Sequence, residues 1–273
     1  MSNNERQRLA YQLADAWRNK ATIDIKHSQL PKDRESAYAV QDEMAAQITA
    51  DPKHAIVGWK VGATSPGVQQ AEGYDGPIPG RIFASTVFQS PAQVPAASCP
   101  YANLEAEVAF KLNTDISLAD YPCTATTLSP IIDLVLAFDI TSTRYTLETK
   151  APWDNMQNML AGIADNGNGG AIVIGPPIEQ WQHIDLMTLT IDLRLNGKPP
   201  IKNLFDNSRG HPFDAFVWTV NSVLERGFPL QKGDIVLTGS LTEPQPLQAG
   251  DEAVAQYPGL GQISVEFVSK HHL

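Results

Sequence analysis

The stretch NLEAEVAF, Asn103–Phe110, decides how this chain is read. Two glutamates, Glu105 and Glu107, stand one residue apart in an otherwise apolar run. In a strand, successive side chains point to opposite faces. Leu104, Ala106 and Val108 would then face a core, while Glu105 and Glu107 would share the other face. Like charges placed side by side repel, so water, a basic partner or a cation must offset them. A lone Glu-x-Glu is also the pattern of a solvated strand face. The other reading is a hard-cation site, because Mg²⁺ and Mn²⁺ take carboxylate oxygens and need only one or two from the protein.

Outward from this stretch, the chain is punctuated in the same way. From residue 56 onward, short β-rich runs alternate with Gly/Pro turns: AIVGWKVGA, GRIFASTVF, IIDLVLAFDI, GAIVIGPP, MTLTIDLRLNGK, DIVLTGS and DEAVAQYPGLGQISVEFV. Such spacing predicts a β-rich roll or sandwich. One interruption, GHPFDAFVWTVNSVLERG, predicts a helix ending at Gly227, with the histidine of GHP as a cap or core residue. The first fifty residues differ in texture. Leu9, Leu13 and Trp17 recur at helical spacing, and a second helix starts after Asp33 as N-cap, with Tyr38, Val40, Met44 and Ile48 as its stripe. The expected organisation is an N-terminal helical segment, 1–50, packed on one β-rich unit, 51–273. His271 and His272 read as an exposed tail.

Two further positions can carry chemistry. In IIDLVLAFDI, period two puts Asp133, Val135, Ala137 and Asp139 on one face. An acid inside such a run needs a partner or a cation, unless Asp139 caps a turn at the strand end. In VGWKVGATSP, Lys60 sits between apolar neighbours and Gly58 and Gly62. It is either a surface lysine or a cleft cation that pairs a substrate carboxylate or moves a proton.

Bulk properties exclude several classes. The 273 residues are 42% hydrophobic and carry a formal net charge of -10, a balance opposed to nucleic acid or anionic membrane as the main partner. No run approaches the roughly 20 apolar residues of a membrane span, and the polar start lacks a signal-peptide pattern. Cys99 and Cys123 show no metal or redox spacing and read as reduced and structural. A cytoplasmic location is expected.

Six segments in order, VGWKVGATSPGVQQ, LEAEVAF, DITSTR, ADNGNGGAIVIG, GHPFDAFVW and LQKGDIVLTGSL, resemble the 2-keto-4-pentenoate hydratase branch of the fumarylacetoacetate hydrolase superfamily. The resemblance covers nearly the whole chain. It implies an α+β fold, the mixed β-roll of that superfamily with N-terminal helices packed on it, as a homo-oligomer. It implies Glu105, Glu107 and Asp139 as ligands of Mg²⁺ or Mn²⁺ and Lys60 as the catalytic lysine. Asn166, Asn168, Thr238, Gly239 and Ser240 would line the substrate cleft. The implied reaction is hydration of a 2-oxo-alkenoate of the 2-hydroxypenta-2,4-dienoate type, giving a 4-hydroxy-2-oxo acid in aromatic catabolism. The same ligands also serve a 2-oxo-3-enedioate decarboxylase or an acylpyruvate hydrolase. A dicarboxylate would need a second base, for which Arg81 and Arg144 are candidates. The chain departs from the branch at three places: Asp139 replaces a usual Glu, Ile78 a usual acid (Asp75 being the nearest), and Asn168 a usual Ser. Those departures keep open a non-catalytic protein that binds metal and oxo acid.

Overall fold

The computed structural model describes residues 1–269, so His271 and His272 lie outside it. Among these residues twelve strands form: β1 (Ile56–Gly62), β2 (Ile78–Phe83), β3 (Val87–Gln89), β4 (Ala92–Pro95), β5 (Asn103–Leu112), β6 (Ile132–Thr141), β7 (Gly169–Ile178), β8 (Asp192–Leu195), β9 (Ile235–Leu237), β10 (Gln245–Pro246), β11 (Glu252–Tyr257) and β12 (Gly261–Val268). Eight make one sheet in the order β2-β1-β9-β5-β6-β7-β3, with β10 added to β5. The other four make a sheet in the order β4-β12-β11-β8. Pairing is mixed: β1 with β9, β3 with β7 and β4 with β12 are parallel, the rest antiparallel. With its helices, this is the α+β mixed roll that the resemblance implies.

The frame is the β5–β6 pair, antiparallel from Asn103 opposite Thr141 to Leu112 opposite Ile132. Alternation divides it cleanly. Leu104, Ala106, Val108 and Phe110 of β5 join Leu134, Leu136, Phe138 and Ile140 of β6 on one face. There they meet Val94, Leu193, Ala255, Ile263 and Val265 of the smaller sheet, forming the main core. Burying such a side chain contributes roughly 1.5–3 kcal/mol, so this face supplies the driving force for the fold. Tyr257 crosses that core, and its hydroxyl donates to the Glu107 carbonyl oxygen at 2.8 Å. The opposite face of β5 and β6 carries Glu105, Glu107, Ala109, Val135, Ala137 and Asp139.

The N-terminal helices form where the sequence predicts, over Asn3–Asn19 and Arg34–Ile48. Asp33 caps the second, accepting a hydrogen bond from the Ser36 amide. Leu9, Leu13, Trp17, Val40, Met44 and Ile48 pack with Phe83, Tyr145, Trp153, Ala161 and Ala164 in a second apolar cluster. The helix of the GHP segment spans Pro212–Glu225, with His211 as its N-cap, and Gly227 follows it at φ +86°. Cys99 and Cys123 are free and buried.

Only Gly58 and Trp59 of β1 pair with β9, opposite Ile235 and Val236. Gly58 has φ +146°, and a Cβ there would lie 1.9 Å from the Ile235 carbonyl oxygen. A side chain is therefore excluded both by conformation and by space. Gly58→Ala should destabilise the protein by about 2 kcal/mol or more, read as a fall of several degrees in Tm. An unchanged Tm would mean that the β1–β9 junction is not fixed as described.

Candidate metal centre and substrate cavity

Strand register brings the acids together. Glu105 stands directly opposite Asp139, and Glu107 opposite Ala137. Glu105, Glu107 and Asp139 each offer a carboxylate oxygen, and these atoms all lie within 4.8 Å of one another. Asp139 does not cap a turn; it points inward with the glutamates. β1 adds Lys60, whose neighbour Trp59 turns into the main core. The Lys60 Nζ lies 2.5 Å from Asp139 Oδ2. Lys60, Glu107 and Asp139 are only 4%, 1% and 2% exposed, and Glu105 is half-buried.

Three carboxylates against one ammonium leave an excess of negative charge where water is scarce. Burial and then the Asp139 charge push the Glu105 carboxyl up to about 7. Burial, Asp139 and Glu105 hold Glu107 well above the usual carboxylate range. For Lys60, burial opposes the charged form, but the Asp139 and Glu105 carboxylates outweigh it and raise the ammonium pKa. The backbone helps as well: the amides of Thr238 and Gly239 donate to Glu107 Oε2 at 3.1 and 2.9 Å. Asp139 Oδ1, buried, has no hydrogen-bond partner among the described residues. Converging hard oxygen donors, excess negative charge and an orphaned carboxylate oxygen fit a divalent cation of the Mg²⁺, Mn²⁺ or Ca²⁺ type.

The cluster opens into a cavity of about 430 Å³, lined near the charges by Lys60, Glu105, Asp139, Asn168, Gly239 and Ser240. The loop residues divide into two roles. Asn168, at φ +53°, lines the cavity. Gly239, at φ +96°, does too; a Cβ there would lie 2.5 Å from Thr64 Oγ1. Asn166, which the resemblance places in the cleft, does not line this cavity. Its side-chain amide accepts from the Arg81 amide at 2.7 Å and donates to the Arg81 carbonyl at 2.8 Å. That clamp presses the loop against β2 at Gly80, where a Cβ would lie 2.3 Å from the Asn166 carbonyl oxygen. Thr238 also stands back from the cavity. Its hydroxyl donates to the Val108 carbonyl and its amide serves Glu107. Ser240 lines the wall, but its hydroxyl donates to the Thr242 carbonyl at 2.6 Å.

Both arginines singled out by the sequence are committed elsewhere. Arg81 bonds Gln41 and Asp42 and lies over the rings of Trp59 and Phe228. Arg144 holds Asp165 through its side chain and backbone amide, and the Gly169 carbonyl as well. Asp75 is ion-paired with Arg34. Ile78 lines the cavity, and a further acid, Glu72, stands on its wall. The sequence holds no signal for Glu72, which lies in an unremarkable polar helix end.

Comparison with known proteins bears on the family and the fold. The model of the fumarylacetoacetate (FAA) hydrolase C-terminal family matches residues 68–268. The chain is 28% identical over 269 residues to a 2-keto-4-pentenoate hydratase of Paraburkholderia phymatum, covering 98% of this chain and 99% of that protein. It is 27% identical over 268 residues to a 2-hydroxyhexa-2,4-dienoate hydratase of Comamonas testosteroni, covering 96% and 95%. Among solved structures, 4-oxalocrotonate decarboxylase from Pseudomonas putida G7, complexed with magnesium and adipate, superposes with a TM-score of 0.84 at 23% identity, covering 98% of this chain and 99% of that one. That likeness is one of fold.

The raised carboxyl pKa values carry a sign. A carboxyl that titrates higher in the folded state than in the unfolded one holds its proton more tightly when folded. The stability that this carboxyl contributes is then greatest below the ordinary carboxylate range and is lost as pH rises towards about 7, the value for Glu105. Metal-free protein should lose roughly 2–3 kcal/mol between pH 4.5 and 7.5 from Glu105 alone. Added Mg²⁺ or Mn²⁺ should restore the loss at the upper end. Glu107→Gln, which keeps an acceptor for Thr238 and Gly239, should raise the metal-free Tm at pH 7.5 and abolish the metal's stabilising effect. A metal-free Tm that rises steadily across this range would contradict the described charge cluster.

Proposed function

The chain belongs to the fumarylacetoacetate hydrolase family, and from that premise we propose that it is a divalent-metal-dependent hydratase acting on a 2-hydroxy-2,4-dienoate in aromatic catabolism. One observation carries the choice of reaction. The cavity has a single cation, Lys60, among the described residues lining it, and that cation stands beside the carboxylate cluster. A substrate with one carboxylate is thus provided for, and a second carboxylate is not. With Arg81 and Arg144 both engaged in structural pairs, a 2-oxo-3-enedioate would place its far carboxylate without a counter-charge. Relatives named as hydratases along nearly the whole chain support the same reading.

Glu105, Glu107 and Asp139 would hold Mg²⁺ or Mn²⁺, which when bound supplies Lewis-acid polarisation at the 2-oxo end of the substrate. The neighbouring decarboxylase structures, one with magnesium and one with calcium, support the choice of a divalent ion. Lys60 supplies fixed positive charge at the same end. A cation that neutralised the carboxylates would offset part of what keeps the Lys60 ammonium charged, while burial would go on opposing that charge, and Nζ stands where it could hold or relay a proton at the 2-hydroxy oxygen. Asn168 stands on the wall and can orient the substrate or a water by hydrogen bonding. Ketonisation of the dienol gives a 2-oxo-3-enoate, and water then adds at C4, the carbon conjugated to the 2-oxo group. Ile78 excludes an acid from its own position, so water activation falls to another group. No described helix is long and apolar enough to cross a membrane. A cytoplasmic homo-oligomer working on a small 2-oxo acid completes the proposal.

Purified protein with Mg²⁺ or Mn²⁺ should consume 2-hydroxypenta-2,4-dienoate, followed by loss of its dienol absorbance, and EDTA should stop it. Lys60→Met should lower kcat by about 100-fold or more while the metal still stabilises the protein. The hydratase reading fails if carbon dioxide release from a 2-oxo-3-enedioate outpaces dienoate hydration. The enzyme reading fails if metal-loaded protein binds pyruvate but turns over neither compound.

A further inference from the structure

Building on the hydratase reading, we propose that this enzyme selects dienoates with long uncharged tails, that Val68, Ile78 and Leu204 make the tail contacts, and that Glu72 turns away a second carboxylate. The first observation is size. The cavity, at about 430 Å³, falls within the roughly 300–1,000 Å³ of sites for drug-sized ligands. A five-carbon acid leaves most of it unfilled.

The second observation is how quickly charge gives way along the cavity wall. Lys60 stands opposite Gly80, and Gly62 opposite Ile78, in the β1–β2 register. Residues two apart share a face, so Gly62 and Ile78 follow Lys60 on the same wall, roughly 6.5 Å further along the pleat. Gly62 has no side chain to obstruct that path, and the space a Cβ would enter is open. A substrate held by its carboxylate and 2-oxo group near Lys60 would reach Ile78 with the carbons beyond C5. There it meets a hydrocarbon side chain.

The third observation is the composition of the outer wall. It is built by the helix Pro66–Glu72 and the segment from Leu204 to Ser208. These two lie against each other so closely that a Cβ on Gly67 would be 2.3 Å from the Asn207 carbonyl oxygen. Val68 and Leu204, both half-buried, present apolar surface from the two sides. Tyr74 adds a phenol, which burial and then the Glu72 charge keep in its neutral form. Glu72 is the charged group at this end. An apolar tail gains burial here, whereas a terminal carboxylate meets a like charge.

The test uses Mg²⁺-loaded full-length protein and unreactive straight-chain 2-oxo acids, titrated calorimetrically from pyruvate to 2-oxooctanoate. Affinity should rise about threefold to fourfold per added methylene beyond five carbons. Within the six-carbon pair, 2-oxohexanoate should bind at least tenfold more tightly than 2-oxoadipate. Glu72→Lys should narrow or invert that preference, and Leu204→Asn should lower the ratio of 2-oxooctanoate to pyruvate affinity. Affinity that peaks at five carbons, or a six-carbon pair that Glu72→Lys leaves unaltered, overturns the tail proposal while leaving the hydratase reading in place. Failure of pyruvate itself to bind in the presence of Mg²⁺ overturns both.

Discussion

The repulsion among three clustered carboxylates, two buried and one half-buried, only partly relieved by the Lys60–Asp139 contact, is the constraint around which this fold is arranged. Placing such charges in a low-dielectric site is unfavourable unless they are paired and hydrogen-bonded. Each feature of the surrounding sheet answers that problem. The β5–β6 register sets Glu105 against Asp139. The β1 strand delivers an ammonium to Asp139. The turn after β9 aims two backbone amides at Glu107. What remains uncompensated is negative, and a divalent cation is the group that balances it. The apolar face of the same two strands supplies the stability that lets the polar face stay under tension.

Part of this was legible in the sequence because it follows from alternation. Period two put Glu105 with Glu107, and Asp139 with Val135 and Ala137, on single strand faces, as the structure has them. Alternation within one strand cannot say which strand is its neighbour, so the meeting of Asp139 with Glu105 came from the resemblance. The helical stripes of Leu9, Leu13 and Trp17 and of Val40, Met44 and Ile48, and the Asp33 cap, were equally local signals. The mixed sheet order was not local at all: β9 inserts between β1 and β5 from far along the chain, and no periodicity encodes that.

Side chains with more than one possible polar partner were the least legible. Asn166 lies in a glycine-rich loop typical of ligand contact, yet its amide is satisfied by both backbone groups of Arg81. Arg81 and Arg144 have the chemistry for carboxylate recognition, and both are paired with Asp residues of the same chain, the half-exposed Asp42 and the buried Asp165. The composition of the loop was the same under either use. Only the three-dimensional positions of Gln41, Asp42 and Asp165 decide between them, and those residues are far away in sequence. Glu72 shows the converse: an ordinary solvent-facing acid in sequence that folding places on a cavity wall.

The face assignment of β5 and β6 has a consequence for how such an enzyme can change. Shifting either strand by one residue exchanges its two faces; for β5 this would drive Glu105 and Glu107 into hydrocarbon and turn Leu104 and Val108 towards Lys60 and the cavity. Single-residue insertions and deletions are therefore closed to the β5–β6 pair. The helix Pro66–Glu72 obeys no such parity rule, since it does not belong to the sheet. Length changes there can reshape the cavity wall without exchanging the faces of β5 and β6. The geometry of the pleat thus fixes length in one stretch of the cavity's lining and leaves it free in another.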